Sequence, residues 1–162
     1  MAKDSRGKLY FTIGLPRSGK SSYANAWSKE SPNRVVIGGD DFRIGLHGHE
    51  YLRTSEGLVF GVMDAAIRAL LHRGFDVLVD ETCTTEATLL RYLLIDLNAT
   101  PIILDTPANI CIQRAREGGK EHLVPCIVQM DKQKQELLRD WPAAIERVKA
   151  KILERYPNDI VR

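Results

Sequence analysis

The chain has 162 residues, 44% of them hydrophobic and 27% charged, with a formal net charge of +2. This length is enough for one enclosed core, and the composition excludes a disordered chain, a collagen-like repeat and a coiled-coil rod. So small a charge also argues against the basic stripe of a protein that wraps a long duplex. No apolar run approaches the roughly 20 residues that cross a bilayer. The N-terminal Met1-Ala2-Lys3-Asp4-Ser5-Arg6 lacks the apolar stretch of a secretory signal. Cys83, Cys111 and Cys126 are scattered and odd in number, so neither a disulfide framework nor a zinc cage is expected. The expectation is a single cytoplasmic domain over residues 1–162, with no membrane partner and nothing that fixes an oligomeric state.

Taken in order, Leu9-Tyr10-Phe11-Thr12-Ile13 is a β-favouring apolar run that stops at Gly14 and predicts a buried strand. A helix is expected from about Lys20 to Ser28, with Tyr23, Ala24 and Trp27 on one face. Pro32-Asn33 breaks the chain, Arg34 to Ile37 predicts a second strand, and Gly38-Gly39 ends it. Leu58, Val62, Ala65, Ala66, Ala69 and Leu70 fall at helical spacing between Glu56 and His72, with Gly74 as the stop. A third strand is expected over Phe75–Val79, a helix over about Glu86–Leu97, and a fourth strand over Pro101–Leu104. Pro107 fits the first turn of a helix running towards Arg116, Gly118-Gly119 opens a polar loop, and the remainder reads as helical with a break at Trp141-Pro142. Strands alternating with helices predict an α/β fold, a parallel sheet sandwiched between helices. In such sheets ligands bind beyond the carboxyl ends of the strands, which directs attention to residues 14–21, 40–43, 80–82 and 105.

Gly14-Leu15-Pro16-Arg17-Ser18-Gly19-Lys20-Ser21 satisfies the Walker A pattern at each required position, between a strand and a helix. The glycines let successive amides face a phosphate, and the following helix adds its positive end. Lys20 supplies a cation for the β- and γ-phosphates, and the Ser21 hydroxyl is the expected Mg²⁺ ligand. The reading is a site for ATP or GTP made by Gly14 to Ser22. Beyond the second strand, Asp40-Asp41-Phe42-Arg43 has two readings. A phosphotransferase uses a carboxylate to take a hydroxyl proton and a guanidinium to hold an acceptor phosphate. The same residues also suit a helix N-cap and a solvated face.

These segments resemble the P-loop kinase domain of polynucleotide 5′-kinases, particularly the bacteriophage type. The likeness runs from about Leu9 to Leu138. It is carried by Gly14–Ser22, by Asp40-Asp41-Phe42-Arg43, by Glu56-Gly57-Leu58-Val59 with Gly61 and Asp64, and by Asp80-Glu81-Thr82, Asp105-Thr106-Pro107 and Arg114–Arg116. The resemblance implies a P-loop fold with a lid over about residues 114–125, and ATP and Mg²⁺ as cofactors. It implies Asp40 as general base, Arg43 as the grip on an acceptor phosphate, and Asp80 beside the nucleotide, either supporting an arginine or acting as a Walker B-like acid. Arg114 or Arg116 would stabilise the moving phosphoryl group, with Lys120 able to share that work. The implied acceptor is a 5′-hydroxyl of DNA or RNA. A hydroxymethylated base within DNA, a nucleoside or another small alcohol are alternatives. Glu81 departs from the family's usual sequence after the third-strand acid, which bears on acceptor choice. A nucleotide switch or regulatory ATPase is the rival class, but no guanine-specifying Asn-Lys-x-Asp motif is present.

Among the other residues, Asp105 reads as a cap for the helix at Pro107. His47 and His49 read as part of a mobile substrate loop, and Cys111, Trp27 and Trp141 as packing residues. Glu146, Lys149 and Lys151 read as a solvated helix face.

Overall fold

The computed structural model describes residues 6–157; of the N-terminal segment read above, Met1 to Ser5 lie outside the described residues. Within them the chain forms β1 (Leu9–Ile13), α1 (Lys20–Lys29), β2 (Arg34–Gly38), α2 (Gly39–His47), α3 (Glu56–His72), β3 (Asp76–Asp80), α4 (Glu86–Ile95), β4 (Thr100–Ile103), α5 (Ala108–Glu117), α6 (Val124–Arg139) and α7 (Trp141–Arg155). The strands make one parallel sheet in the order β2-β3-β1-β4, and the described residues place seven helices around it. No described helix is long and apolar enough to cross a membrane. The chain divides into two compact units, Met1–Tyr10 with Ser21–Glu81, and Phe11–Lys20 with Thr82–Arg162.

In the first unit β2 and β3 pair in parallel from Arg34 opposite Asp76 to Gly38 opposite Asp80. That register brings Gly38-Gly39 and Asp80-Glu81, the turns after the two strands, to the same end of the sheet. Val59, Met63, Ile67 and Leu71 are buried at successive four-residue steps, which makes one stripe of α3 its core face. α3 ends in a Schellman motif. Gly74 (φ 82°) donates to the Leu71 carbonyl at 3.0 Å and Phe75 to the Leu70 carbonyl at 3.1 Å. Because Phe75 is committed to that cap, β3 begins one residue later than its apolar run suggests. Trp27 packs edge-on to Tyr10 at 5.5 Å with the Arg34 guanidinium over its ring at 4.8 Å, so it is a packing residue as expected. Of the expected substrate loop, only His49 lies outside a helix and its cap. Gly45 and His47 lie within α2, and left-handed Gly48 (φ 76°) caps it by donating to the Ile44 carbonyl.

In the second unit Leu15, Cys111, Ala115 and Ile127 form a buried cluster that roots the loop after β1 among α5 and α6. Phe11 stacks on Tyr92 at 5.0 Å. α4 starts with a reciprocal Thr85–Thr88 capping box and stops at Asp96, whose side chain turns the chain by accepting from the Asn98 amide. The helix is therefore two residues shorter than its periodicity predicts. β4 is an edge strand with Thr100 and Ile103 exposed. Asp105 does not cap α5, whose N-cap is Pro107; its carboxylate accepts from the buried Lys134 ammonium at 3.0 Å, and the same ammonium donates to the Leu104 carbonyl at 3.2 Å. Lys151 is likewise not simply solvated. With Arg147 it binds Glu86, at 3.1 Å and 2.7 Å respectively, and joins α7 to α4.

Candidate active site

The loop Gly14 to Gly19 closes on itself. Ser18 donates its amide to the Leu15 carbonyl at 3.1 Å, and the Lys20 ammonium turns back to the same carbonyl at 2.7 Å. Gly14 donates to the Thr82 carbonyl at 3.1 Å, and the Thr106 hydroxyl donates to the Ser18 carbonyl at 2.8 Å. The bend needs two left-handed residues, Arg17 (φ 67°) and Gly19 (φ 98°). The fit to a phosphate chain rests on three features. A Cβ on Gly14 would lie 2.7 Å from Ser18 Oγ and 3.3 Å from Lys20 Cγ, so only glycine leaves the inside of the loop open. A Cβ at Gly19 would meet nothing within 4 Å. The Ser18 hydroxyl is buried with no hydrogen-bond partner, a donor in search of an acceptor. Pro16 is half-buried, and Ser21 and Ser22 are exposed in the first turn of α1, where a serine oxygen is available to a cation.

The structure separates the two arginines that the sequence left equivalent. Arg114 donates from Nη1 to the Arg17 carbonyl at 3.2 Å, and Arg17 Nη2 donates back to the Arg114 carbonyl at 3.4 Å. Arg114 is thus clasped to the loop. Arg116 instead faces Glu121 at 3.7 Å with its side chain 61% exposed. Residues two apart on a helix do not share a face, which explains the split. Lys120 sits in the turn after α5, its amide bonded to the Ala115 carbonyl.

In the other unit Asp40 and Arg43 lie one helical turn apart on α2. Asp40 is not the helix cap, a position held by Gly38, and its carboxylate is 95% exposed while accepting from Arg43 Nη1 at 2.9 Å. Arg43 is not on a solvated face; its side chain is only 11% exposed. Nε and Nη2 each bind a Glu56 oxygen at 2.8 Å, Phe60 lies 5.9 Å from the guanidinium carbon, and Glu81 Oε1 stands 3.9 Å from Nη2. Glu56 was not expected beside Arg43, and Glu81 was singled out only as a departure bearing on acceptor choice, because their sequence distance from Arg43 follows no local periodicity. The Glu56 hydrogen bond, followed by the nearby carboxylates, raises the Arg43 pKa further above its usual range. The same hydrogen bond holds Glu56 below the usual carboxylate range. Glu56 therefore contributes stability that is present above an ordinary carboxylate pKa of about 4.3 and is lost as pH falls through its lowered folded value. Denaturation midpoints of the native protein should fall on acidification below about pH 4.5, and more steeply than those of a Glu56→Gln variant. Equal slopes would show that the pair does not tie folding to protonation.

Asp80 ends β3, half-buried opposite Gly38. Cys83 is buried with a left-handed backbone (φ 36°). His47 and His49 stack at 5.8 Å, and no group of three metal-ligating side chains occurs among the described residues.

The sequence pattern of the AAA domain family matches residues 9–137. The chain belongs to that family. Its fold is the P-loop kinase-like α/β fold, as similar solved structures show. A chain in the structure of the Pnkp1/Rnl/Hen1 complex matches with a TM-score of 0.63 and 24% identity over 69% of this chain and 40% of that one. A chain in the structure of the Pnkp1/Rnl/Hen1 RNA repair complex gives 0.67 and 19% over 83% and 47%. A gluconokinase from Sinorhizobium meliloti 1021 gives 0.55 and 13% over 95% and 99%. The chain thus spans less than half the length of the first two.

Proposed function

We propose that this protein is an ATP- and Mg²⁺-dependent kinase that transfers the γ-phosphoryl group to an alcohol, with the 5′-hydroxyl end of DNA or RNA as the acceptor favoured by its resemblance to polynucleotide kinases. The observation that carries the reading is Asp40, an exposed carboxylate held in one orientation by a buried arginine. An exposed carboxylate held in one orientation can meet an incoming hydroxyl and take its proton, and a switch or simple ATPase has no acceptor alcohol to deprotonate. The loop amides, the Ser18 hydroxyl and Lys20 hold the triphosphate. Ser21 would hold Mg²⁺, which when bound neutralises charge on the β- and γ-phosphates. The acceptor oxygen forms a bond to the γ-phosphorus as the bond to the β-phosphate oxygen breaks. ADP leaves with that electron pair, and Asp40 takes the hydroxyl proton. Arg114, clasped to the loop, offers its guanidinium to the transferring phosphoryl group.

A second reading, phosphorylation of a hydroxymethyl group on a base within DNA or of a small alcohol, is favoured by the carboxylates around Arg43. The test is incubation with γ-labelled ATP and a panel of 5′-hydroxyl oligonucleotides, DNA with hydroxymethyl bases, and free nucleosides. Label on an alcohol supports the kinase; label only in free phosphate makes it an ATPase. Within this reading Arg114→Ala should lower kcat about 100-fold, while Arg116→Ala changes it by less than about fivefold. Equal losses would remove the distinction.

A further inference from the structure

Arg17 sits where its backbone asks for a glycine. Two residues of the phosphate-binding loop are left-handed, and one of them, Gly19, adopts that conformation without strain. At Arg17 (φ 67°) a Cβ crowds the following carbonyl, so a glycine would make the bend more easily. A side chain kept at a strained position directs attention to what that side chain does. Here it leaves the loop for the end of α5. Its Nη2 donates to the Arg114 carbonyl at 3.4 Å, in the last turn of the helix, where unpaired carbonyls favour a cation. Gly118 caps that helix, and a Cβ there would lie 2.8 Å from Arg17 Nη2, so the glycine leaves open the place that the guanidinium fills. Arg114 Nη1 returns to the Arg17 carbonyl at 3.2 Å. Both acceptors are backbone oxygens, and neither arginine has a carboxylate partner among the described residues. Each guanidinium uses one of its five N–H groups in the clasp and keeps four. With glycine at position 17 the loop would keep its bend, and the tie from loop to helix would lose the half that fixes the Arg114 backbone.

We propose that Arg17 is a positioning residue for phosphoryl transfer: its guanidinium ties the end of α5 to the phosphate-binding loop, so that Arg114 stands in place before the nucleotide arrives. The Arg17 amide belongs to the loop like its neighbours; the side chain acts through Arg114. This rests on the kinase reading above and on the part given there to Arg114.

The experiment compares the native protein with Arg17→Gly, Arg17→Lys, Gly118→Ala, Arg114→Ala and the double variant Arg17→Gly with Arg114→Ala. Single-turnover transfer from γ-labelled ATP is followed with the alcohol that takes most label in the panel above. ATP affinity is read by titration with a fluorescent analogue. Arg17→Gly should lower the transfer rate at least about tenfold and leave ATP affinity within about threefold. Gly118→Ala, which puts a Cβ where the guanidinium lies, should move the rate in the same direction. Arg17→Lys, whose ammonium can still donate to the Arg114 carbonyl, should stay within about threefold of native. In the Arg114→Ala background, Arg17→Gly should lower the rate by less than about twofold more, because the two residues act as one unit. Hydrogen exchange gives a readout without nucleotide. The Gly118 and Lys120 amides, which bond to the Arg114 and Ala115 carbonyls, should exchange at least about fivefold faster in Arg17→Gly. Four results overturn the proposal and leave the kinase standing: a rate within about twofold of native in Arg17→Gly, a loss that multiplies with that of Arg114→Ala, a loss carried by ATP affinity instead, or unchanged exchange at both amides. Release of phosphate with no labelled alcohol overturns the kinase reading, and the proposal falls with it.

Discussion

Asp40→Asn should reduce transfer to an alcohol by at least 1,000-fold while leaving ATP affinity within about twofold. Asparagine keeps the shape and the hydrogen bond from Arg43 but has no basicity, so it cannot take the hydroxyl proton. Asp40 accepts from Arg43 at 2.9 Å and is otherwise in water, so its loss opens no cavity and strands no buried partner other than one guanidinium N–H. Lys20→Ala should act differently. Its ammonium closes the loop onto the Leu15 carbonyl and stands at the lysine position of the Walker A pattern, so both ATP affinity and turnover should fall. Equilibrium titration with a fluorescent ATP analogue, run beside single-turnover transfer, separates the two. Undiminished transfer in Asp40→Asn would remove it as the base.

The largest loss of stability is expected at Gly7. A Cβ there would lie 1.8 Å from the Phe75 carbonyl oxygen and 2.3 Å from its carbon, backbone atoms that cannot rotate away. The Gly7 amide also donates to the Leu71 carbonyl at 2.9 Å, so the chain entering β1 is pinned to the end of α3. Gly7→Ala must shift one of these segments, and a cost of about 3 kcal/mol is expected, in the range of overpacked or strained sites. Urea denaturation followed by circular dichroism reads it directly; a change under about 0.5 kcal/mol would show that the contact relaxes freely.

Much of the fold was legible because its signals are local. The apolar run before Gly14, the four-residue stripe of α3 and the Gly74 stop each report on a few neighbouring residues, and β1 and α3 fall where the sequence puts them. The loop was legible because its glycines, lysine and serine sit at fixed offsets. The errors came where distant partners decide. Asp105 was expected to cap the nearest helix, but Lys134, twenty-nine residues on, claims its carboxylate. The edge position of β4 in the sheet is likewise something that no strand's own sequence determines. The acceptor side was half legible: Asp40 and Arg43 share a turn, whereas Glu56 and Glu81 reach them only through α3 and the β2–β3 register. Arg114 and Arg116 were indistinguishable until the facing of α5 was known.

The buried ammonium of Lys134 gives α6 a mechanical reach beyond its own packing. It clamps the chain at Leu104 and Asp105, and the next residue, Thr106, is the one that holds the Ser18 carbonyl. Two side chains thus connect α6 to the loop after β1 in series. If that loop holds a triphosphate as proposed, linkage requires that any displacement of α6 passed along this series alter nucleotide affinity, and that nucleotide binding in turn restrain the helix.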